Sequence, residues 1–160
     1  MLAHLQRLAG YNRWANDRLY DCAAGLDPAA LALDRGAFFG SILNTLNHIL
    51  VGDRIWMHRF TGAGPLPRRL DDVPYPDFAA LRTARETEDA RIVAYVDGLT
   101  ECTLGATLRY RNVAGESQEF PLQPLIAHFF NHQTHHRGQV HAMLSQAGQQ
   151  PPQIDFLYYV

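Results

Sequence analysis

His128 to Gln139 reads HFFNHQTHHRGQ, four histidines in twelve residues with helical spacing and no proline. At about 100° per residue on an α-helix, His132 and His136 stand one turn apart on a single ridge, close enough to share an ion. His128 is equally spaced from His132 on the other side, and His135 lies about 60° off the ridge, so spacing alone permits more than one ligand pair. His141 points to roughly the opposite face. Imidazole is the commonest side-chain ligand of transition metals, but two imidazoles make a weak site. A third ligand has to come from a facing helix, and His48, in the otherwise apolar run NTLNHILVGDRIW, is the obvious donor.

The rest of the chain supplies such helices. From Leu2 to Ala24, Leu5, Leu8, Leu19 and Cys22 recur at helical spacing with Tyr11, Trp14 and Ala15 between them. Gly25 and Pro28 break this helix, and a connection without clear periodicity runs through DRGAFFG to Ser41, a plausible N-cap. A second helix is predicted over Ile42–Phe60, with Ile42, Leu46, Ile49, Leu50, Ile55 and Trp56 spread widely enough for contacts on several sides. Four prolines and two glycines make Thr61–Pro76 a loop, and Asp77 can cap a third helix from Phe78 to about Val96, whose segment RTARETEDAR reads as a charged, exposed face. Short-period alternation around an Ala114-Gly115 break predicts a small hairpin between Thr107 and Phe120. The fourth helix, about Leu122–Gln146, carries the histidines and stops before Gly148 and Pro151-Pro152. The tail IDFLYYV is too apolar to hang free, so Phe156, Leu157 and Tyr159 are expected to dock on the bundle. Four amphipathic segments without a strand series predict an all-α four-helix bundle, whose facing helices commonly project metal ligands inward.

At 160 residues the chain fits one domain, 1–160. With 47% hydrophobic and 19% charged residues and a formal net charge of −2, it is neither basic nor acidic enough to suggest a polyanion, so no nucleic-acid partner is expected. Cys22 and Cys102 are isolated, no signal-peptide pattern opens the chain, and no apolar run approaches the roughly 20 residues that span a bilayer. A cytoplasmic protein without a membrane partner is the expectation.

Each candidate also has a structural reading. A histidine on an apolar helix is most often a buried, hydrogen-bonded one; a ridge of histidines facing His48 shifts the balance toward a shared ion. His4, His58, His128, His135 and His141 cannot all reach one ion, and His135 must point away if His136 ligates, leaving it to bond a neighbour or line the mouth. There is no HExxH, so the general-base glutamate of a zinc peptidase is missing. Asp53 and Arg54 read as structural, with Asp53 a lesser candidate for steering a ligand or substrate. Gly138, inside a helix, marks close helix packing, and Trp14 and Trp56 read as core or interface anchors.

The segments YNRWANDRL, FFGSILNTLNHILVGDRIW, NHQTHHRGQVHAML and PPQIDFLYY together resemble the DinB-like (DNA-damage-inducible, YfiT-related) family of metalloenzymes, nearly end to end, the NHxxHHRGQ-type segment being the specific part. The resemblance implies a four-helix bundle in up-down-down-up order, a divalent metal held by three histidines that fall on His48, His132 and His136, and frequently a homodimer. It also implies, through the related mycothiol-dependent isomerases, enzymes that use a metal to hold a low-molecular-weight thiolate; other members are described only as metal-dependent hydrolases. The family name reflects damage-inducible expression and does not imply DNA contact.

Three neutral histidines leave an ion's remaining positions open to water or substrate, as in catalytic rather than closed structural sites. Zinc is the first expectation and nickel the second, because imidazole suits both. The leading expectation is a metal-dependent small-molecule enzyme of the thiol S-transferase type. The alternatives are a metal-dependent hydrolase and a non-catalytic metal-binding or dimerisation module. Neither cysteine has a motif that would make it the nucleophile.

Overall fold

The computed structural model describes residues 1–112 and 114–159. Four long helices build it: α1 (Leu2–Ala23), α3 (Ile42–Thr61), α4 (Phe78–Asp97) and α6 (Leu122–Gln146). Two short helices, α2 (Pro28–Ala32) and α5 (Glu101–Leu104), lie in the connections. Strands β1 (Thr107–Arg111) and β2 (Ser117–Pro121) form the expected hairpin, antiparallel, with Leu108 opposite Phe120 and Arg111 opposite Ser117.

Local chemistry sets the boundaries. Ser41 Oγ accepts from the Asn44 N–H at 3.1 Å and starts α3; Gly62, at φ 70°, ends it in the left-handed conformation while its N–H donates to His58 O. Asp77 caps α4 in the same manner as Ser41 caps α3, accepting from Ala80 N–H at 2.8 Å. Helix α2 was not expected. By sequence Pro28 reads as a breaker, but it occupies the first turn of a helix capped by Asp27, where a missing N–H costs nothing.

Helices α1 and α3 each pack against both α4 and α6. Tyr20 stacks on Phe78, near the end of α1 and the start of α4, whereas Phe60 and Tyr95 stack at the ends of α3 and α4. Thus α1 and α4 run antiparallel, and α3 and α4 run parallel. Phe60 also meets Phe129 near the start of α6, so α3 and α6 are antiparallel. The order is up-down-down-up. Two apolar clusters fill the ends of the bundle, one around Leu19, Leu46, Leu50, Leu81 and Leu144, the other around Leu5, Met57, Ile92, Ile126 and Phe129.

Between them lies a buried polar layer. Asp89 accepts from Asn12 Nδ2 and Asn16 Nδ2, both at 3.1 Å, and stands 3.0 Å from Arg85 NH2. Arg85 also pairs with Asp53, and Arg137 donates to Asn12 and, at 3.1 Å, to Thr134. This corrects the reading of RTARETEDAR as an exposed face: Arg85, Glu88 and Asp89 are only 2%, 3% and 1% exposed. Charged residues turn inward here because each meets a counter-charge or an amide from another helix.

Two smaller expectations also fail. Phe156 and Tyr159 dock on Tyr11 and Trp14, and Tyr11 Oη donates to Ile154 O at 2.7 Å, but the 3-10 turn Phe156–Tyr158 swings Leu157 outward, leaving it 73% exposed. Gly138 is not at a close helix contact, since a Cβ there would meet nothing within 4 Å.

Candidate metal centre

Helices α3 and α6 bring His48, His132 and His136 together, with one nitrogen from each lying within 4.8 Å of the others. The antiparallel crossing sets His48, in the second turn of α3, opposite the third and fourth turns of α6. His48 Nδ1 donates to Leu70 O at 2.8 Å and His136 Nδ1 to Gln139 Oε1 at 2.8 Å. With a proton on each Nδ1, the two Nε2 atoms carry lone pairs, and they face one another at 3.2 Å. Two acceptors in that position need a shared cation or proton. The separation matches that of two imidazole nitrogens each about 2.0–2.1 Å from one tetrahedral ion.

The surroundings keep the rings neutral. Burial pushes His48 and His136 below the usual histidine range, against the opposing pull of Leu70 O and the Gln139 amide. His132 is pushed down to about 3, first by burial and then by repulsion from His136 and His48. Neutral imidazole is the form that ligates. Phe39 stacks on His48 with centroids 3.8 Å apart and closes that side. His132 packs over Gly52, where an added Cβ would approach its Cε1 to 3.1 Å. It is also the least buried of the three, and with Gly52 and His128 it walls a cavity of about 300 Å³. A smaller cavity of about 210 Å³, lined by Phe39, His48, Asp71 and Asp72, lies on the His48 side, so the cluster borders one cavity at His132 and another at His48.

The chain matches the model of the DinB family over residues 1–160. The chain belongs to the DinB family. It is 25% identical over 167 residues to Protein DinB of Bacillus subtilis, covering 96% of this chain and 92% of that one. The crystal structure of a DinB-like protein from Bacillus cereus shares its fold, with a TM-score of 0.63 at 18% identity over 87% of this chain and 89% of that one. For this DinB-family chain the expected fold holds, and the three histidines form a cluster that could hold a metal ion.

The other histidines separate as their spacing permits. His135 is exposed and contacts Gln139 Nε2 at 3.3 Å, so the amide that orients His136 also touches its neighbour. His128 lies against Trp56 at the rim of the cavity, and His141 bonds Pro152 O of the tail. Asp53 serves the polar layer, and Arg54 reaches Glu88 and Tyr75. Phe39, Gly52, Leu70 and Gln139 were missed by sequence reasoning. Gln139 could have been found, because its i+3 spacing from His136 places it beside that ring; a backbone carbonyl in a loop leaves no signal.

Proposed function

We propose that this DinB-family protein is a metal-dependent small-molecule enzyme of the thiol S-transferase type, with His48, His132 and His136 as ligands to zinc or, second, nickel. The observation that carries the reading is the pair of unprotonated Nε2 atoms facing each other at 3.2 Å beside an open third histidine. A divalent ion in that position supplies Lewis acidity, favouring the ionised form of a thiol or of water.

The chain's residues do the rest. Leu70 O and Gln139 hold the tautomers, Phe39 keeps water from one face, and Gly52 leaves room for the His132 ring. Cys22 sits beside Gln150 O and Cys102 on the exposed α5, so neither offers a nucleophile at the centre. The cavity next to His132 is lined by Ile55, Trp56, Arg59 and Asn112, with no carboxylate among its described residues to act as a base toward water. A nucleophile carried in by the substrate, such as a thiol, suits this lining; Asp71 and Asp72 line the separate, smaller cavity at His48.

The test is elemental analysis of tag-free protein, wild type beside His132→Ala, followed by assays of thiol consumption with a haloarene. Near-stoichiometric metal that disappears in the variant, together with metal-dependent thioether formation, is the expected result. Turnover without added thiol would make the protein a hydrolase instead. Full metal content in His132→Ala would refute the ligand assignment.

A further inference from the structure

The cavity beside His132 does not end at Arg59. Ile55, Arg59 and Asn112 line it and also line a larger groove of about 650 Å³ between α3, the loop at Leu66–Arg68 and strand β1. Four arginines face this groove: Arg59, Arg68, Arg109 and Arg111. Arg109 is matched by Glu119 at 2.9 Å. Among the described residues, no carboxylate lies within ion-pair distance of Arg59, Arg68 or Arg111. The groove lining contains no Asp or Glu at all.

Elsewhere in the molecule, buried Arg85 is answered by Asp53 and Asp89, and buried Arg137 by the side-chain oxygens of Asn12 and Thr134. Arg59 is also held in place, its guanidinium 4.6 Å from the ring centroids of both Trp56 and Tyr110. Stacking orients the planar fork and leaves its edge N–H groups free, the arrangement that suits two-point recognition of a carboxylate or phosphate. Like charges lining one concave surface focus a positive potential that an anion relieves. His132 and Arg59 wall one cavity of about 300 Å³, so the histidines and the arginines are within reach of a single small molecule.

We propose that this groove is the anion subsite of the metal centre: Arg59, Arg68 and Arg111 take a carboxylate or phosphate group of a substrate whose reacting atom lies at the histidines. The middle of that substrate rests against Ile55 and Trp56. The proposal deepens the thiol-transfer reading and rests on it for the identity of the reacting atom, while the anion subsite can be tested without the metal.

Glutathione and its diethyl ester carry the same thiol with the carboxylates free or masked. With cobalt-loaded protein, the thiolate-to-cobalt absorption band reports binding of each. Glutathione should bind at least about tenfold more tightly than the ester, the size of one charge-assisted hydrogen bond. Arg68→Ala/Arg111→Ala, both at exposed positions, should abolish that preference while retaining the band. In a second arm, metal-free protein is titrated with pyrophosphate by calorimetry, and the double variant should bind it about tenfold more weakly or worse. Equal affinity for the two thiols, with pyrophosphate binding unchanged in the double variant, would overturn the subsite and leave the metal centre standing. No band with either thiol, but pyrophosphate binding lost in the double variant, would retain the subsite and remove the thiol.

Discussion

His48 and Asp53 lie five residues apart on α3, and His136 and Arg137 are neighbours on α6, yet the two sides of these helices solve the burial of polar groups in opposite ways. Toward α1 and α4, Asp53, Arg85, Asp89 and Arg137 meet counter-charges and the amides of Asn12 and Asn16. Charge is balanced there, although a few atoms, among them Asp53 Oδ1 and Gln133 Nε2, find no protein partner. Toward the hairpin, three neutral imidazoles are gathered, and among the described residues none of them is paired with a carboxylate. The outer nitrogens of His48 and His136 are satisfied, while the inner ones are left as facing acceptors. One polar cluster sets charge against counter-charge within the chain; the other gathers neutral bases that a cation would complete.

The sharpest break of this contrast is Asp89→Leu. Arg85, Asn12 and Asn16 lose their shared acceptor, and removing one partner of a buried charged network costs about 3–5 kcal/mol. Urea denaturation should show that loss, and a variant within 1 kcal/mol of wild type, by the ~1 kcal/mol scale of ordinary substitutions, would mean the layer is dispensable.

Gly52→Ala acts on the other cluster. Its Cβ would press on the His132 ring at 3.1 Å, so metal affinity measured by chelator competition should fall about 10–100-fold, the range for disturbed ligand orientation. Because alanine is the better helix former by up to about 1 kcal/mol, stability of the metal-free protein should hold or rise while affinity falls. Unchanged affinity would show that the ring has room to give.

A third expected effect is a slope with pH. The folded protein holds His132 down at about 3, below its ordinary 6.5, so the unfolded chain takes up a proton first. Stability of the metal-free protein is then full above pH 6.5 and is lost as pH falls toward 3. His132→Gln should flatten the stability profile across that window. A profile unaltered by the substitution would place the responsible groups elsewhere, with His48 and His136, lowered in the same direction, the next to replace.

Most of the bundle was legible because periodicity, caps and breakers agreed along α1, α3, α4 and α6. The three histidines were legible for a related reason: i,i+4 spacing survives any packing of the helix that carries it. The failures share a different cause. RTARETEDAR reads as solvent-facing since one strand of sequence does not show that Asn12, Asn16 and Asp53 wait on other helices to receive it. Pro28 reads as a stop unless Asp27 is read with it as a cap. The roof over His48 depends on Phe39 and on the carbonyl of Leu70, contributions of irregular segments with no period to betray them.

The hairpin leaves the bundle at Ala106 and returns at Leu122, whose N–H donates to Ala106 O at 2.9 Å. Its two feet therefore stand together, so the segment between them is an interchangeable panel. Lengthening such a closed excursion costs only about 0.6 kcal/mol per doubling, while Leu108 packs on the apolar cluster of Met57 and Phe129 and Tyr110 on Trp56. Tyr110 and Arg111 belong to this panel, whereas His48, His132 and His136 belong to the frame. A lineage can refashion what the groove prefers by exchanging the panel, with the centre behind it left untouched.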